Sequence, residues 1–338
     1  MTTTHMKTTL KLPILLLGVA ALFFAGCEKK PDAADAGSNA KRKIVIGFIG
    51  KSLSNDVFQA AQSGAIHAAK DLGEKYGVQV EVEVRTPNEE DPTKQAEAVE
   101  ALTRRGVDGI AIACSEANTV TPSIDKAVSK GVSVLCFDSD APNSKRFAYY
   151  GTDDISCGKR VVDELAKVMG EKGTIAILAG SQSAPNLQKR VAGAKEALKQ
   201  YPNMKLNEPG VFYHTETPEK AAEAIASAQN ANPGIQGWAL IGGWPLFTAD
   251  ALKWPPGSIK VVSVDALPAQ LVYLQTGYVQ MLLAQDCYGW GSKSVELLLE
   301  KILNNEVPPN PLVIDPLTVV TKENVDSYGK NWEKWLAK

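Results

Sequence analysis

Histidine is scarce in this sequence of 338 residues, which contains only three, at positions 5, 67 and 214. Metal centres and acid–base catalytic sites rely heavily on this residue, and no clustering of histidine and cysteine typical of a zinc site is visible. His214 and Glu216 form the one remaining acid–base pair, which ordinary loop chemistry explains. The sequence therefore predicts no metal site, no cofactor and no enzymatic activity.

A concentration of charge of one sign is also lacking. The 36 basic and 38 acidic residues are mixed along the chain and give a net charge of −2, so no basic surface for nucleic acid is predicted. The stretch "GFIGKS" resembles a phosphate-binding loop in part, but its first glycine is residue 47, whereas that loop needs one at residue 45. Composition and motif together argue against nucleic acid and nucleotide phosphates as partners.

The apolar segment near the N-terminus, which begins at Leu12, is too short to span a membrane comfortably. Lysines precede it and two small residues follow it, which is typical of a secretion signal with a cleavage site. "FFAGC" resembles the lipobox of bacterial lipoproteins, except that Phe24 stands where a smaller aliphatic residue is usual. The resemblance implies a lipoprotein signal peptide over residues 1–26 and a lipid on Cys27. A plain secretion signal and a retained anchor helix are the alternatives.

Residues 27–42 are polar and small, with nothing to bury, so we predict a flexible tether that holds a folded body off a membrane surface. Four more cysteines lie in that body, and an exported location permits disulfides between them. They allow three complete pairings, and buried free thiols are the alternative, because Cys114 and Cys136 lie in apolar strand-like runs. The four are Cys114, Cys136, Cys157 and Cys287.

From Lys43 onward, short β-branched runs alternate with segments of helical spacing. "KIVIGFIG", "VDGIAIAC" and "VSVLCFD" are predicted strands, each followed by a predicted helix. The alternation restarts after a break near residue 150, with "FTADALKW" as a short helix and "LVIDPLTVVTKENV" as an extended end. The pattern predicts an α/β protein with two mainly parallel sheets of similar size.

Tryptophan is absent from the first two thirds of the chain, since all six residues lie at or after Trp238. One of them, Trp244, follows a predicted strand and two glycines in "LIGGWPLF". A large indole in a loop at a strand end suggests a contact surface for a ligand or for another part of the protein. The two glycines would let a ligand approach the backbone.

The order of elements and four local sequences resemble the ribose-type periplasmic sugar-binding proteins, the cluster B solute-binding proteins of ABC transporters. The four are "IVIGFIGKSLSNDVFQAAQSGA", "GVSVLCFDSD", "VVSVDALPAQLVYLQTGYVQMLLAQD" and "NNEVPP". The family shares its fold with the ligand domains of LacI-type repressors. A repressor would need a helix-turn-helix ahead of residue 43, where this chain has the signal and tether.

The resemblance implies two doubly wound parallel-sheet lobes joined by a three-crossing hinge, the type I periplasmic binding fold. One lobe would comprise residues 43–151 plus 286–315, and the other residues 152–285 plus 316–338. The ligand would lie in the cleft between them, at the carboxyl ends of the strands. Hinge motion would close the lobes over it.

Five residues at or near strand ends carry over to the ligand site of the family. Asn55 would bind a hydroxyl and Phe58 would stack on the sugar, with a helix cap and a core phenylalanine as the alternatives. Asp138 and Asp265 each close an apolar strand and would accept hydroxyl hydrogen bonds, unless they only form turns. Gln285 lies next to a predicted crossing, and its alternative is a solvent-facing strand end.

Three further positions depart from the ribose-type pattern. Ser139 and Gln188 stand where that pattern has arginine, and "GGWP" replaces an asparagine. Ser139 and Gln188 remain assigned to the ligand site, whereas Arg190 is assigned a structural role. Trp244 would stack on a sugar ring, or else pack between the lobes or under the hinge. These departures argue against ribose itself as the ligand.

The resulting prediction is an extracytoplasmic, lipid-anchored and monomeric substrate-binding protein, in the periplasm or at the cell surface. It would capture a neutral monosaccharide or polyol and deliver it to the membrane subunits of an ABC permease. A nucleoside, an autoinducer-like furanose or a role as a chemoreceptor ligand sensor are the alternatives within the same fold.

Overall fold

The computed structural model describes residues 41–336. The predicted signal peptide, Cys27 and nearly all of the predicted tether lie outside these residues. Among the helices of the described range, none is both long enough and apolar enough to cross a membrane.

Twelve β-strands within this range form two sheets of six strands. In chain order they are β1 (Lys43–Ile49), β2 (Gln79–Val84), β3 (Gly109–Ile112), β4 (Ser133–Phe137), β5 (Ala148–Gly151), β6 (Gly173–Ala179), β7 (Met204–Tyr213), β8 (Gly237–Leu240), β9 (Lys260–Val264), β10 (Met281–Ala284), β11 (Leu312–Ile314) and β12 (Thr318–Val320). The first sheet has the order β11-β5-β4-β3-β1-β2 and the second the order β12-β10-β9-β8-β6-β7. Every pairing is parallel except β10 with β12.

The helices follow the strands and cover both faces of each sheet. In chain order they are α1 (Asp56–Tyr76), α2 (Pro92–Arg105), α3 (Ala117–Ser129), α4 (Asp154–Met169), α5 (Pro185–Leu198), α6 (Pro218–Ala231), α7 (Pro268–Gln275), α8 (Cys287–Asn304) and α9 (Val325–Trp335). Their starts are marked in the sequence: Asn55, Asp91 and Asp153 accept hydrogen bonds from first-turn amides. Proline begins α2, α5, α6 and α7, where its missing N–H costs nothing.

Strand β3 shows why the strands are apolar throughout. Ile110 and Ile112 belong to the core that α2 and α3 cover, whereas Ala111 between them belongs to the core under α1 and α8. Both faces of a parallel strand are thus buried, and no position is left for alternating polar residues. The sequence pattern of continuous apolar runs has this cause.

The chain passes between the two sheets three times: after β5, after β10, and between β11 and β12. The first crossing, at residues 152–153, leads to α4, which packs on β8 and β9 of the second sheet. The second, at residues 285–286, returns to α8, which packs on β3 and β4. The prediction of two parallel-sheet lobes joined by three crossings is confirmed. The proposed lobe boundaries follow these crossings.

One local prediction was wrong. "FTADALKW" is not a helix: a short 3-10 helix spans Trp244–Phe247, and turns and irregular chain follow. Pro245 and the Pro255–Pro256 pair limit helix propagation, and Trp254 is buried instead against the core. The segment at residues 312–325 contains the extended strands β11 and β12, as predicted, and α9, which was not predicted, follows it.

Helix α9 touches both halves of the molecule through aromatic residues. The Trp332 indole nitrogen donates a hydrogen bond of 2.8 Å to the Ala266 carbonyl oxygen, at the end of β9. The Trp335 ring stacks on Tyr288 of α8, with ring centroids 5.9 Å apart and planes 16° from parallel. The tail of the chain is therefore packed on α7 and reaches the start of α8.

Candidate functional site

A cavity of about 1050 Å³ opens between the two sheets, at the carboxyl ends of their strands. The first lobe and α8 contribute Lys51, Ser52, Asn55, Phe58, Glu90, Ser115, Asp138 and Trp290 to its lining, among others. The second lobe and the second crossing contribute Asn186, Arg190, His214, Glu216, Trp244, Asp265 and Gln285. Open α/β sheets bind their ligands at this position, so the cavity is the candidate binding site.

Two aspartates end their strands in the left-handed backbone region, with φ of +54° at Asp138 and +69° at Asp265. Aspartate tolerates this conformation better than most residues other than glycine. Each turn places a carboxylate on the cavity lining, where both residues are more than nine tenths buried. Burial raises the pKa of Asp138 to about 6 and also raises the pKa of Asp265.

Gln285 connects the second lobe with the hinge. Its side-chain nitrogen donates to Asp265 Oδ1 at 2.8 Å. Its oxygen accepts from Thr152 Oγ1 at 3.0 Å and from Arg190 Nη2 at 2.7 Å. Three of the four hydrogen-bonding positions of the Gln285 amide are therefore used, which orients the amide and Asp265 beside the cavity.

Arg190 holds the second-lobe wall of the cavity together. The guanidinium is 2% exposed and donates from Nε to Asp154 Oδ1 at 2.8 Å and from Nη1 to the Ile241 carbonyl oxygen at 3.2 Å. Asp154 is buried as well, and the ion pair compensates both charges. The structural role predicted for Arg190 fits this position, and the residue also lines the cavity.

Lys51 is a buried cation at the floor of the cavity, and it was not among the predicted site residues. Its Nζ lies 4.0 Å from Glu90 Oε1 and 4.0 Å from Asp138 Oδ2, beyond hydrogen-bond length. Burial alone would lower the pKa of Lys51, but Glu90, Asp138 and Glu216 outweigh burial and hold it above its usual range. The ammonium is therefore charged, and its N–H groups are too far from Glu90 and Asp138 to donate hydrogen bonds to them.

Aromatic side chains face the cavity from both sides. Phe58 lies 6.1 Å from Trp290, between ring centroids, on the first-lobe side. Trp244 is half-buried on the other side and meets His214 edge to face at 5.3 Å. Gly242 has no Cβ, and one built there would overlap the Trp244 ring, so the glycine makes room for the indole rather than for a ligand.

Asn55 lies on the lining as predicted, and its side-chain oxygen also caps α1 by accepting from the Val57 N–H. His214 and Glu216, first explained as ordinary loop residues, line the cavity too. His214 donates from Nδ1 to the Thr215 carbonyl oxygen, and burial lowers its pKa, so the ring is neutral. Glu216 accepts a 2.9 Å hydrogen bond from the Ser181 N–H.

Two predicted site residues are not on the lining. Ser139 is fully buried behind Asp138, because the residue after a strand-end contact points to the opposite side. Gln188 is exposed on α5. It precedes Arg190 by two positions, which is roughly 200° around a helix, so only Arg190 faces the cavity. Ser139 and Gln188 are therefore absent from the lining, whereas Lys51 and Arg190 are on it.

The remaining unpredicted lining residues had weak signals in the sequence. Lys51 comes two residues after the end of β1, and Asp138 comes directly after β4, so the rule of polar residues near strand ends covers Lys51 too. Trp290 and Asn186 lie inside helices, and only the packing of the lobes brings them to the cavity.

Residues 46–306 match the model of the periplasmic binding protein domain family. The chain is 26% identical to the D-ribose/D-allose-binding protein of Pseudomonas aeruginosa, over 77% of this chain and 83% of that protein. It is also 26% identical to the D-allose-binding periplasmic protein of Escherichia coli strain K12, over 77% of this chain and 85% of that one.

Solved structures agree with these relatives. A solute-binding protein of an ABC transporter from Burkholderia graminis, in complex with D-arabinose, superposes with a TM-score of 0.78 at 28% identity. The match covers 85% of this chain and 98% of that one. A glucose-galactose binding protein from Geobacillus stearothermophilus gives a TM-score of 0.75 at 25% identity, over 84% and 99% of the two chains. The resemblance to sugar-binding proteins, and the prediction that the chain is not an enzyme, are confirmed, and this chain belongs to the periplasmic binding protein family.

Proposed function

We propose that this protein captures a monosaccharide or polyol between its lobes and delivers it to an ABC permease. The observation that carries the proposal is the gap between Lys51 Nζ and Asp138 Oδ2, which are both buried and 4.0 Å apart. Two groups of opposite charge at that distance are too far apart to bond directly. A ligand hydroxyl between them would accept a hydrogen bond from Lys51 and donate one to Asp138.

A hydroxyl fits this gap because it both accepts and donates. Ordinary lengths of about 2.9 Å to the ammonium and about 2.7 Å to the carboxylate place one oxygen between groups 4.0 Å apart, with an angle of about 90° at the oxygen. The same reasoning applies to Lys51 and Glu90, also 4.0 Å apart. Neighbouring hydroxyls on one ring would fill both gaps, as a polyhydroxylated ligand can.

The aromatic side chains supply the apolar half of the site. A sugar ring has C–H faces above and below its hydroxyl rim, and these stack on flat rings. Phe58 and Trp290 on one side and Trp244 on the other stand at opposite lobes. Closure of the lobes would then bring a stacking surface to each face of the ring.

The relatives support the delivery role and a location outside the cytoplasmic membrane, since several are named as periplasmic or import binding proteins. We propose in addition that the mature chain is lipid-anchored at Cys27, tethered by residues 27–42 and monomeric. The support for the anchor is the lipobox-like "FFAGC". Labelling with a palmitate analogue in cells, with Cys27→Ser as the control, tests it.

A thermal-shift screen of residues 28–338, stripped of ligand by unfolding and refolding, tests the binding role. Ligand that binds only the native state must raise the melting temperature, by about 2.7 kcal/mol of stabilisation at one hundred times Kd. We expect an upward shift with one class of pentose, hexose or polyol. A shift with nucleosides alone would keep the fold and reject the carbohydrate function.

Replacing Trp244 with alanine should weaken binding of the ligand found in that screen about 10- to 100-fold, because a stacking face of roughly 1.5–3 kcal/mol is lost. The melting temperature of the free protein should fall by only a few degrees, since the indole is half-buried. Trp244→Phe, which keeps a ring but loses the N–H, should bind with intermediate affinity. Unchanged affinity with a large loss of stability would assign Trp244 to packing between the lobes.

A further inference from the structure

The lining of the cavity is strongly acidic. Glu116 is occupied as the N-cap of α3, where it accepts hydrogen bonds from the Asn118 and Thr119 amides. Six other carboxylates line the cavity: Glu89, Glu90, Asp138, Glu216, Glu219 and Asp265.

Few positive charges offset these carboxylates. Arg190 and Lys51 are the two basic side chains on the described lining, and Arg190 is already paired with Asp154 behind the wall. On the described lining, Lys51 is therefore the one cation left to balance the charge of the six carboxylates. Clefts lined by one sign of charge, with walls of low dielectric constant, concentrate ions of the opposite sign. An anionic ligand, such as a sugar acid or a sugar phosphate, would meet more negative than positive charge on this lining.

The hydrogen-bonding groups on the lining include buried acceptors that have no donor in the described part of the chain. Asn186 is 5% exposed and lines the cavity, and its Oδ1 acceptor has no partner within residues 41–336. His214 uses its Nδ1 hydrogen on Thr215, which leaves Nε2 as a bare acceptor, also without a partner in that range. Buried polar groups in native proteins are nearly always bonded, so these acceptors indicate donors on the ligand.

Asn186 and Glu216 lie in one region of the cavity. Asn186 follows β6 and Glu216 follows β7, and these are neighbouring parallel strands. The Ser181 amide that holds Glu216 belongs to the loop that leads from β6 into α5, and Asn186 lies in the first turn of α5. Glu90 faces them from the first lobe: burial raises its pKa, Lys51 opposes that effect, and Glu216 adds to it. Two carboxylates and an amide oxygen thus line this region of the cavity, where the Lys51 ammonium lies 4.0 Å from Glu90 Oε1, beyond hydrogen-bond length.

A protonated amine meets these requirements, because an ammonium carries three donors, no acceptor and a positive charge. We propose that the ligand is an amino sugar or aminocyclitol whose ammonium group binds between Glu90, Glu216 and Asn186. This inference rests on the proposed function, since the hydroxyls of the same ligand would fill the gaps around Lys51. It replaces the neutral ligand expected from the sequence with a cationic one.

Calorimetric titration of stripped protein at pH 7.5 with matched ligands tests the proposal. The set comprises D-glucose, 2-amino-2-deoxy-D-glucose and D-glucuronate, and the same three forms of D-galactose. We expect the amino form of one series to bind at least tenfold tighter than its parent sugar, and the uronate to bind weakest. A parent sugar that binds as tightly as its amino form, or a uronate that binds tightest, would overturn the amine assignment but leave the carbohydrate function. No binding of any of these six compounds, together with no shift from any sugar or polyol in the thermal-shift screen, would overturn both.

Variants locate the amine. Glu216→Gln keeps an oxygen for the Ser181 amide but removes the charge, and the ratio of amino-form to parent affinity should fall at least fivefold; Glu90→Gln should act in the same direction. Glu97→Gln, an exposed carboxylate on α2 away from the cavity, should leave the ratio unchanged. Equal ratios in all three variants would contradict the assignment. Stabilisation of the stripped protein by calcium or magnesium alone, abolished by Glu216→Gln, would assign the carboxylates to a metal ion instead.

Discussion

Replacing Arg190 with methionine should lower the free energy of unfolding by about 3–5 kcal/mol, the usual cost of removing one partner of a buried ion pair. The guanidinium is 2% exposed and bonds Asp154, Gln285 and the Ile241 carbonyl oxygen. Methionine fills a similar volume, so the loss comes from the Asp154 charge that is left buried without compensation. Urea unfolding of the stripped protein measures the change.

Two further variants separate charge from packing. Lys189→Met makes the same substitution at the exposed neighbouring position and should change the free energy of unfolding by less than about 0.5 kcal/mol. Adding Asp154→Asn to Arg190→Met removes the uncompensated charge and should recover a large part of the stability. If Arg190→Met alone is as stable as the wild type, the ion pair makes no net contribution to the free energy of unfolding.

Replacing Asp138 with asparagine should weaken ligand binding by about 10- to 150-fold, since a hydrogen bond to a charged group contributes about 1.5–3 kcal/mol. Asparagine has the same shape and tolerates the φ of +54°, so the backbone turn should persist. Binding of the ligand from the screen, compared by calorimetry, gives the first readout. Undiminished affinity would remove Asp138 from the binding site.

The same substitution should stabilise the free protein at neutral pH. Burial raises the pKa of Asp138 from 3.8 to about 6, so the folded state binds this proton more tightly than the unfolded state. Such a group stabilises the fold below about pH 3.8, and that contribution is lost as the pH rises through about 6. A shift of about 2 units corresponds to about 3 kcal/mol at most.

We therefore expect Asp138→Asn to be more stable than the wild type at pH 7.5, by about 1–3 kcal/mol, and the difference to shrink as the pH falls toward 4. The difference between the two proteins is the quantity to compare, because burial also raises the pKa of Asp154 and Asp265. A variant that is less stable than the wild type at pH 7.5 would show that the pairing with Lys51 outweighs burial.

The alternation of strands and helices was predictable because it follows from burial on both faces of a parallel sheet. The continuous apolar runs of β3 and β4 have no other simple explanation. The error at residues 247–254 came from counting apolar spacing without weighing three nearby prolines. Helix α9 was missed because its aromatic residues gain their partners, Ala266 and Tyr288, only in the folded molecule.

Some residues of the candidate site could be predicted from the sequence, and others could not. Asp138, Asp265 and Gln285 were predictable, since a polar residue that ends an apolar strand has few other reasons to be there. Arg190 and Gln188 could not be distinguished by resemblance alone, because their positions on opposite sides of α5 decide which of them is buried. The charge balance of the cavity was not predictable at all, since it depends on loops from both lobes meeting across the cleft.

Gln285 occupies the second crossing and is bonded to Thr152 in the first, as well as to Asp265 on the cavity lining. The Gln285 amide thus lies in the hinge between the lobes. It is also hydrogen-bonded to Asp265, whose carboxylate is on the cavity lining. A rotation of the lobes that displaces the two crossings relative to each other would strain these bonds, and the opening angle and the alignment of Asp265 would then change together. The protein would then sense occupancy at the pivot itself, and no relay of side chains from a distant pocket to the hinge is required.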